Sequence, residues 1–113
     1  MDDCIFCKIV AGEIPSEKVY EDERIVAFRD LEPQAPEHVL IIPKKHIPSL
    51  DGMSDGDSEL VGYLVSKVRD IAGQLGLSGG YRLVSNNGKD GQQTVQHLHF
   101  HLLGGRQMTW PPG

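Results

Sequence analysis

The chain has 113 residues, a net charge of −5, 39% hydrophobic and 24% charged residues, which is the composition of one globular domain (1–113) and offers no electrostatic footprint for nucleic acid. No apolar run approaches the ~20 residues that a bilayer span needs, so a membrane partner is excluded. The acidic opening "MDDCIFCKIVAGEIP" has no long apolar segment, which predicts the absence of a secretory leader and a cytoplasmic protein whose two cysteines, Cys4 and Cys7, stay reduced.

In chain order, Cys4 to Val10 reads as a short helix stopped by Gly12. "KVYEDERIVAFRD" reads as two strands, Lys18 to Tyr20 and Ile25 to Phe28, around a turn at Glu21 to Glu23. Pro33 and Pro36 break regular structure, and "HVLIIP" before its own proline suits a buried strand. The period then changes: Leu60, Leu64, Val68 and Ile71 recur at helical spacing, with Val61, Val65, Ala72 and Leu75 beside them. Ser54 or Asp55 caps this long helix and Gly76 ends it. "YRLVSN" is a fourth strand, "NGKDGQQ" a glycine-rich loop, and "TVQHLHFHLLGG" a fifth strand, followed by the aperiodic tail "RQMTWPPG". Five strands with one long and one short helix, joined by short connections, predict an α+β fold with the long helix packed on a mostly antiparallel sheet.

Three of the five histidines fall in "HLHFHLL" at every second position. In a strand such positions share a face and lie about 6.6–6.8 Å apart, so His97, His99 and His101 form a row while Leu98, Phe100 and Leu102 point into the core. A row of imidazoles serves either as a metal site or as a nucleophile with proton-handling neighbours. The preceding loop, with Gly88, Gly91, Gln92, Gln93 and Thr94, offers backbone N–H groups, amides and a hydroxyl, a donor set suited to phosphate oxygens.

"HLHFHLL" fits every position of the His-φ-His-φ-His-φ-φ motif, and the chain resembles the histidine triad (HIT) superfamily, most closely its Hint branch of nucleotide-binding nucleoside phosphoramidases. The likeness extends through "IFCKI", "VYED", "AFRDLEPQAPEHVLIIPKKHI", "GYRLVSNNGKDGQQTVQHLHFHLLGG" and the tail. It implies a five-stranded antiparallel sheet with one long and one short helix, and a homodimer whose two sheets join. It also implies hydrolysis of purine nucleoside phosphoramidates or aminoacyl adenylates to nucleoside monophosphates through a nucleotidyl-histidine. His99 then matches the nucleophile, His101 its partner toward the phosphate or leaving group, and His97 and His38 the supporting histidines. Asn86, Gln93 and Thr94 match residues around the phosphate, Asp30 the acid that takes the ribose hydroxyls, and Ile5, Phe6, Ile9, Phe28 and Leu31 the base pocket. Threonine replaces the usual serine at position 94, which keeps the hydroxyl and adds a methyl.

"CIFC" departs from many Hint relatives. C-x-x-C with two histidines is a zinc pattern, and by resemblance to zinc-holding triad proteins and uridylyltransferases the ligands are Cys4, Cys7, His46 and His97. The expected zinc is structural, and no organic cofactor is expected. Two other functions fit the same residues: a nucleotide-binding dimer that serves as an interaction module, and a dinucleoside polyphosphate hydrolase. The tail "GGRQMTWPPG" argues against the second.

Overall fold

A computed structural model describes residues 3–113, and each element expected from the pattern is present, with some boundaries moved. A helix α1 (Ile5–Val10) precedes strands β1 (Lys18–Glu21), β2 (Ile25–Arg29) and β3 (Glu37–Pro43); then come helix α2 (Ser58–Gln74), β4 (Tyr81–Val84) and β5 (Phe100–Gly104). The strands form one antiparallel sheet in the order β1-β2-β3-β5-β4.

The near-continuous apolar runs of β2 and β3 are explained by burial on both faces. One face, with Ile25, Ala27, Val39, Ile41, Phe100 and Leu102, packs on Leu64, Val68, Ile71 and Ala72 of α2. The other, with Val26, Phe28, Leu40 and Ile42, packs on Phe6 and Ile9 of α1. Thus α2 covers the back of the sheet, and α1 with the histidines occupies the front. Val65 of α2 stays exposed, apart from the apolar stripe.

A 3-10 turn (Asp55–Asp57) leads into α2, and the buried Asp57 carboxylate accepts hydrogen bonds from the Ser54 N–H and hydroxyl. At the other end Gly76 adopts φ +75°, and Leu77 N–H returns to Ala72 O at 3.0 Å, the left-handed stop that glycine allows.

The expected fifth strand spans residues 94–105; the structure begins it only at Phe100. Upstream the chain leaves the sheet. Pro43, the last residue of β3, has no N–H, and its carbonyl accepts from the His97 ring instead of from a strand partner. Leu98 N–H bonds Ile47 O, so the segment carrying His97 and His99 is held by the loop after β3.

Candidate active site and metal centre

All five histidines meet on the front of the sheet, in two groups separated by Phe6. Its ring lies edge-on to His97 at 5.8 Å and to His99 at 5.2 Å between centroids. Leu98 and Phe100 point to the core as the alternation requires. His97, however, turns away from the other two toward the cysteines. The row is therefore divided, and His97 does not line the cavity that His99 and His101 border.

In the first group His99, His101 and His38 follow one another, with centroids 5.2 Å apart for His99–His101 and 5.1 Å for His38–His101. Backbone groups assign each tautomer. Gln34 N–H donates to His38 Nδ1 at 3.0 Å, so the His38 proton is on Nε2, which donates to His101 Nδ1 at 2.9 Å. Neutral His101 then carries its proton on Nε2. His99 Nδ1–H donates to His97 O at 2.7 Å, which leaves His99 Nε2 with a free lone pair. Burial, followed by the fields of His99 and His38, lowers His101 to about 4 despite the opposing pull of Asp30. Burial lowers His38 as well. Both rings are neutral at pH 7, as this chain of hydrogen bonds needs.

His99 and His101 border a cavity of about 360 Å³, within the usual range for a small-molecule site, and His38 stands behind His101, outside its lining. Of the residues expected around a nucleotide, Ile5, Phe6, Ile9, Phe28, Asp30, Leu31, Asn86, Thr94, His99 and His101 line it. Leu31 is a rim residue, 97% exposed. Asp30 Oδ1 accepts the Glu32 N–H, and Oδ2 lies 3.5 Å from His38 Nε2.

Gln93 is the exception. It is buried, its Oε1 accepts Gly88 N–H, and its Nε2 donates to Pro48 O and Val95 O, so it is a strut of the loop and not part of the cavity wall. The expected cradle of loop amides is also largely spent internally. Gly88 N–H serves Gln93, Gln92 N–H bonds Lys89 O and Gln93 N–H bonds Gly88 O. Gly91 is required there, since a Cβ would stand 2.5 Å from Asn87 O.

Ile14, Pro15, Ser16, Arg29, Leu40, Gln92 and Val95 also line the cavity. For Leu40 the two-residue period of β3 was an available signal. Arg29 ends β2, and the others sit on irregular segments, where no period marks them.

The second group is Cys4, Cys7, His46 and His97, whose donor atoms all lie within 4.8 Å of one another. His97 Nδ1 is 3.3 Å from Cys4 Sγ and 3.6 Å from Cys7 Sγ, and His46 Nδ1 is 3.3 Å from Cys7 Sγ. With Zn–S about 2.3 Å and Zn–N about 2.0–2.1 Å, a tetrahedral S···N edge is about 3.6 Å. The donor set therefore fits zinc in size and chemistry. His97 Nε2–H donates to Pro43 O at 2.9 Å, which fixes the ring and leaves Nδ1 unprotonated for a metal. Burial, then the adjacent Cys4 thiol, raises Cys7 to about 11. A divalent cation would reverse that by taking both sulfurs as thiolates.

The HIT domain family matches residues 11–108. The 14 kDa zinc-binding protein of Zea mays is 54% identical to this chain over 112 residues, covering 96% of the chain and 87% of that protein. The crystal structure of a HIT family hydrolase from Legionella pneumophila superposes with a TM-score of 0.96 at 55% identity, covering 98% of this chain and all of that one (100%). A histidine triad nucleotide-binding protein from Candida albicans superposes with a TM-score of 0.82 at 36% identity, covering 98% of this chain and 85% of its own.

Proposed function

Because the chain belongs to the HIT domain family, we propose that it is a hydrolase of the Hint kind, which cleaves the P–N bond of purine nucleoside phosphoramidates, or the acyl-phosphate P–O bond of aminoacyl adenylates, through a nucleotidyl group on His99. The observation that carries this reading is the bond from His99 Nδ1–H to His97 O, which leaves a neutral Nε2 lone pair in a ring bordering the cavity. That is a nucleophile prepared by hydrogen bonding alone. The Legionella relative's name, hydrolase, and the Candida relative's, nucleotide-binding, support the reading.

Asp30 takes the ribose hydroxyls, and Ile5, Phe6, Ile9, Phe28 and Leu31 wall the base. His99 Nε2 attacks the α-phosphorus, forming a P–N bond while the bond to the amine breaks. The amine leaves with a proton drawn from water. The nucleotidyl imidazolium keeps its Nδ1–H on His97 O. His101 Nε2–H, with the Thr94 hydroxyl, hydrogen-bonds the phosphoryl oxygens or the leaving nitrogen, and Asn86 holds the same end. A second water then attacks phosphorus, giving up one proton to the hydroxide left when the amine was protonated, which releases the nucleoside monophosphate and restores neutral His99. Dividing the displacement into two steps lets imidazole, a good leaving group, replace a poor one.

Zinc on Cys4, Cys7, His46 and His97 is part of the same reading. With four protein ligands a bound zinc would supply structure and not substrate chemistry. His97, held by it, would fix the segment that ends in His99.

The test is turnover of adenosine phosphoramidate. His99→Ala should fold, bind AMP and lose at least 10³-fold in kcat, since no other side chain offers a free imidazole nitrogen in the same place. Protein quenched during turnover should carry an acid-labile nucleotidyl group on the peptide His97 to Arg106. An active His99→Ala, or an adduct on a different histidine, would reject the assignment. Turnover of diadenosine polyphosphate in place of the phosphoramidate would favour a dinucleoside polyphosphate hydrolase.

A further inference from the structure

The neutral tautomers of His38 and His101 depend on the Gln34 N–H, and Gln34 lies in the loop of residues 30–36 between β2 and β3. A donor on a loose loop would follow whichever tautomer the ring adopts and could not dictate one. Pro33 and Pro36 stiffen this loop but have no N–H with which to fasten it. Among the described residues, the groups outside the loop that bond Gln34 are His38, on its N–H, and Arg106, on its carbonyl oxygen. Arg106 Nε–H and Nη2–H converge on that oxygen at 3.2 and 3.0 Å. Two donors of one rigid planar group fix a carbonyl in direction as well as in distance.

Arg106 stands just past β5, the strand that carries His101. Gly105 between them adopts φ +91°, and a Cβ there would lie 3.0 Å from Pro36 Cβ, so glycine lets the end of β5 turn onto the loop. The contacts close a circuit: His101 to His38, His38 to Gln34, Gln34 to Arg106, and Arg106 back along the chain to His101. We propose that Arg106 is a positioning residue for the reaction: it fixes the Gln34 N–H that holds His38, and through it His101, in the tautomer that leaves His101 Nε2–H for the substrate. Arg106 itself is exposed and does not line the cavity. The inference rests on the proposed reaction and adds to it a residue that acts from outside the cavity.

The experiment reads the tautomer beside the turnover. In 1H–15N spectra of labelled wild type at pH 7, the His38 ring should show one neutral tautomer, protonated on Nε2. Arg106→Met should mix the two neutral tautomers. It should lower kcat for adenosine phosphoramidate about tenfold, part of what a placed proton donor contributes. Its Kd for AMP should change less than about twofold, since the loss falls on the chemical step. The acid limb of its kcat profile should also move to higher pH. Imidazolium carries hydrogen on both ring nitrogens, and a fixed Gln34 N–H opposes one on Nδ1. Burial opposes the charge as well, Asp30 at 3.5 Å favours it, and His101, with His99 beyond, faces the other side of the ring. Released from Gln34, His38 takes up a proton more readily. Arg106→Lys, which keeps the charge and one donor, should recover part of the tautomer preference and of kcat. A single Nε2–H tautomer in Arg106→Met, an unchanged kcat, or a loss of AMP affinity as large as the loss of kcat each overturns the inference and leaves the reaction standing. A wild type that turns over no nucleoside phosphoramidate overturns the proposed reaction, and this inference with it.

Discussion

His101 shows most plainly how single residues are set by their surroundings. Its ring is confined between His99 and His38, and burial brings its pKa down to about 4, against an ordinary value of 6.5. The unfolded chain thus takes up a proton near pH 6.5 and the folded chain only near pH 4. Stability from this group is fully present above pH 6.5 and is lost as the pH falls from there toward 4. The shift corresponds to about 3 kcal/mol. His101→Gln should therefore flatten the fall of the melting temperature between pH 6.5 and pH 4. Parallel curves for the two proteins would show that the ring is not held neutral. The identity of His97, His99 and His101 was legible from "HLHFHLL", and so was the alternation that sends Leu98 and Phe100 to the core. The tautomers were not legible, because Gln34 N–H, His97 O and Pro43 O set them, and backbone groups leave no mark in a sequence.

At the scale of elements, α1 joins two sites that the sequence presents separately. It has six residues, too few to persist alone in water, and Cys4 Sγ serves as its N-terminal cap by accepting Cys7 N–H. Cys4 and Cys7 belong to the cluster with His46 and His97, while Ile5, Phe6 and Ile9 of the same helix wall the cavity. Zinc binding and nucleotide binding are then expected to be coupled, and reciprocally. Protein prepared without chelator should hold one zinc per chain. Removing it, or introducing Cys4→Ser, should lower the melting temperature and weaken AMP binding roughly 5-fold or more. Saturating AMP should slow zinc loss to a chelator. AMP affinity indifferent to zinc would show that α1 keeps its place without the metal. The start of β5 was the least legible boundary. The alternation of apolar residues continues through Leu98, but a strand also needs a partner, and His97 has taken the Pro43 carbonyl.

At the scale of the molecule, β4 ends the sheet at one side, and Val65, Tyr81 and Trp110 are exposed hydrophobic residues. Arg82 holds the tail against β4 through Thr109 O, with its guanidinium 5.8 Å from the Trp110 ring. An open strand edge with apolar neighbours is a pairing surface, and the expected homodimer would cover it. Light scattering should give twice the 12.5 kDa chain mass, and Val65→Glu should shift it toward the monomer while the chain stays folded. A wild type that remains monomeric at micromolar concentration would refute the dimer. By itself the sequence determined the α+β class, the order of the elements, the burial of β3, and the residue types of both clusters, because periodicity is a local property of the chain. Only the tertiary structure decided that the histidine row divides at Phe6, that Gln93 braces a loop, and that the Ser16 hydroxyl is buried without a partner. These depend on which distant backbone groups arrive at a side chain, and that follows from packing two helices against opposite faces of one sheet.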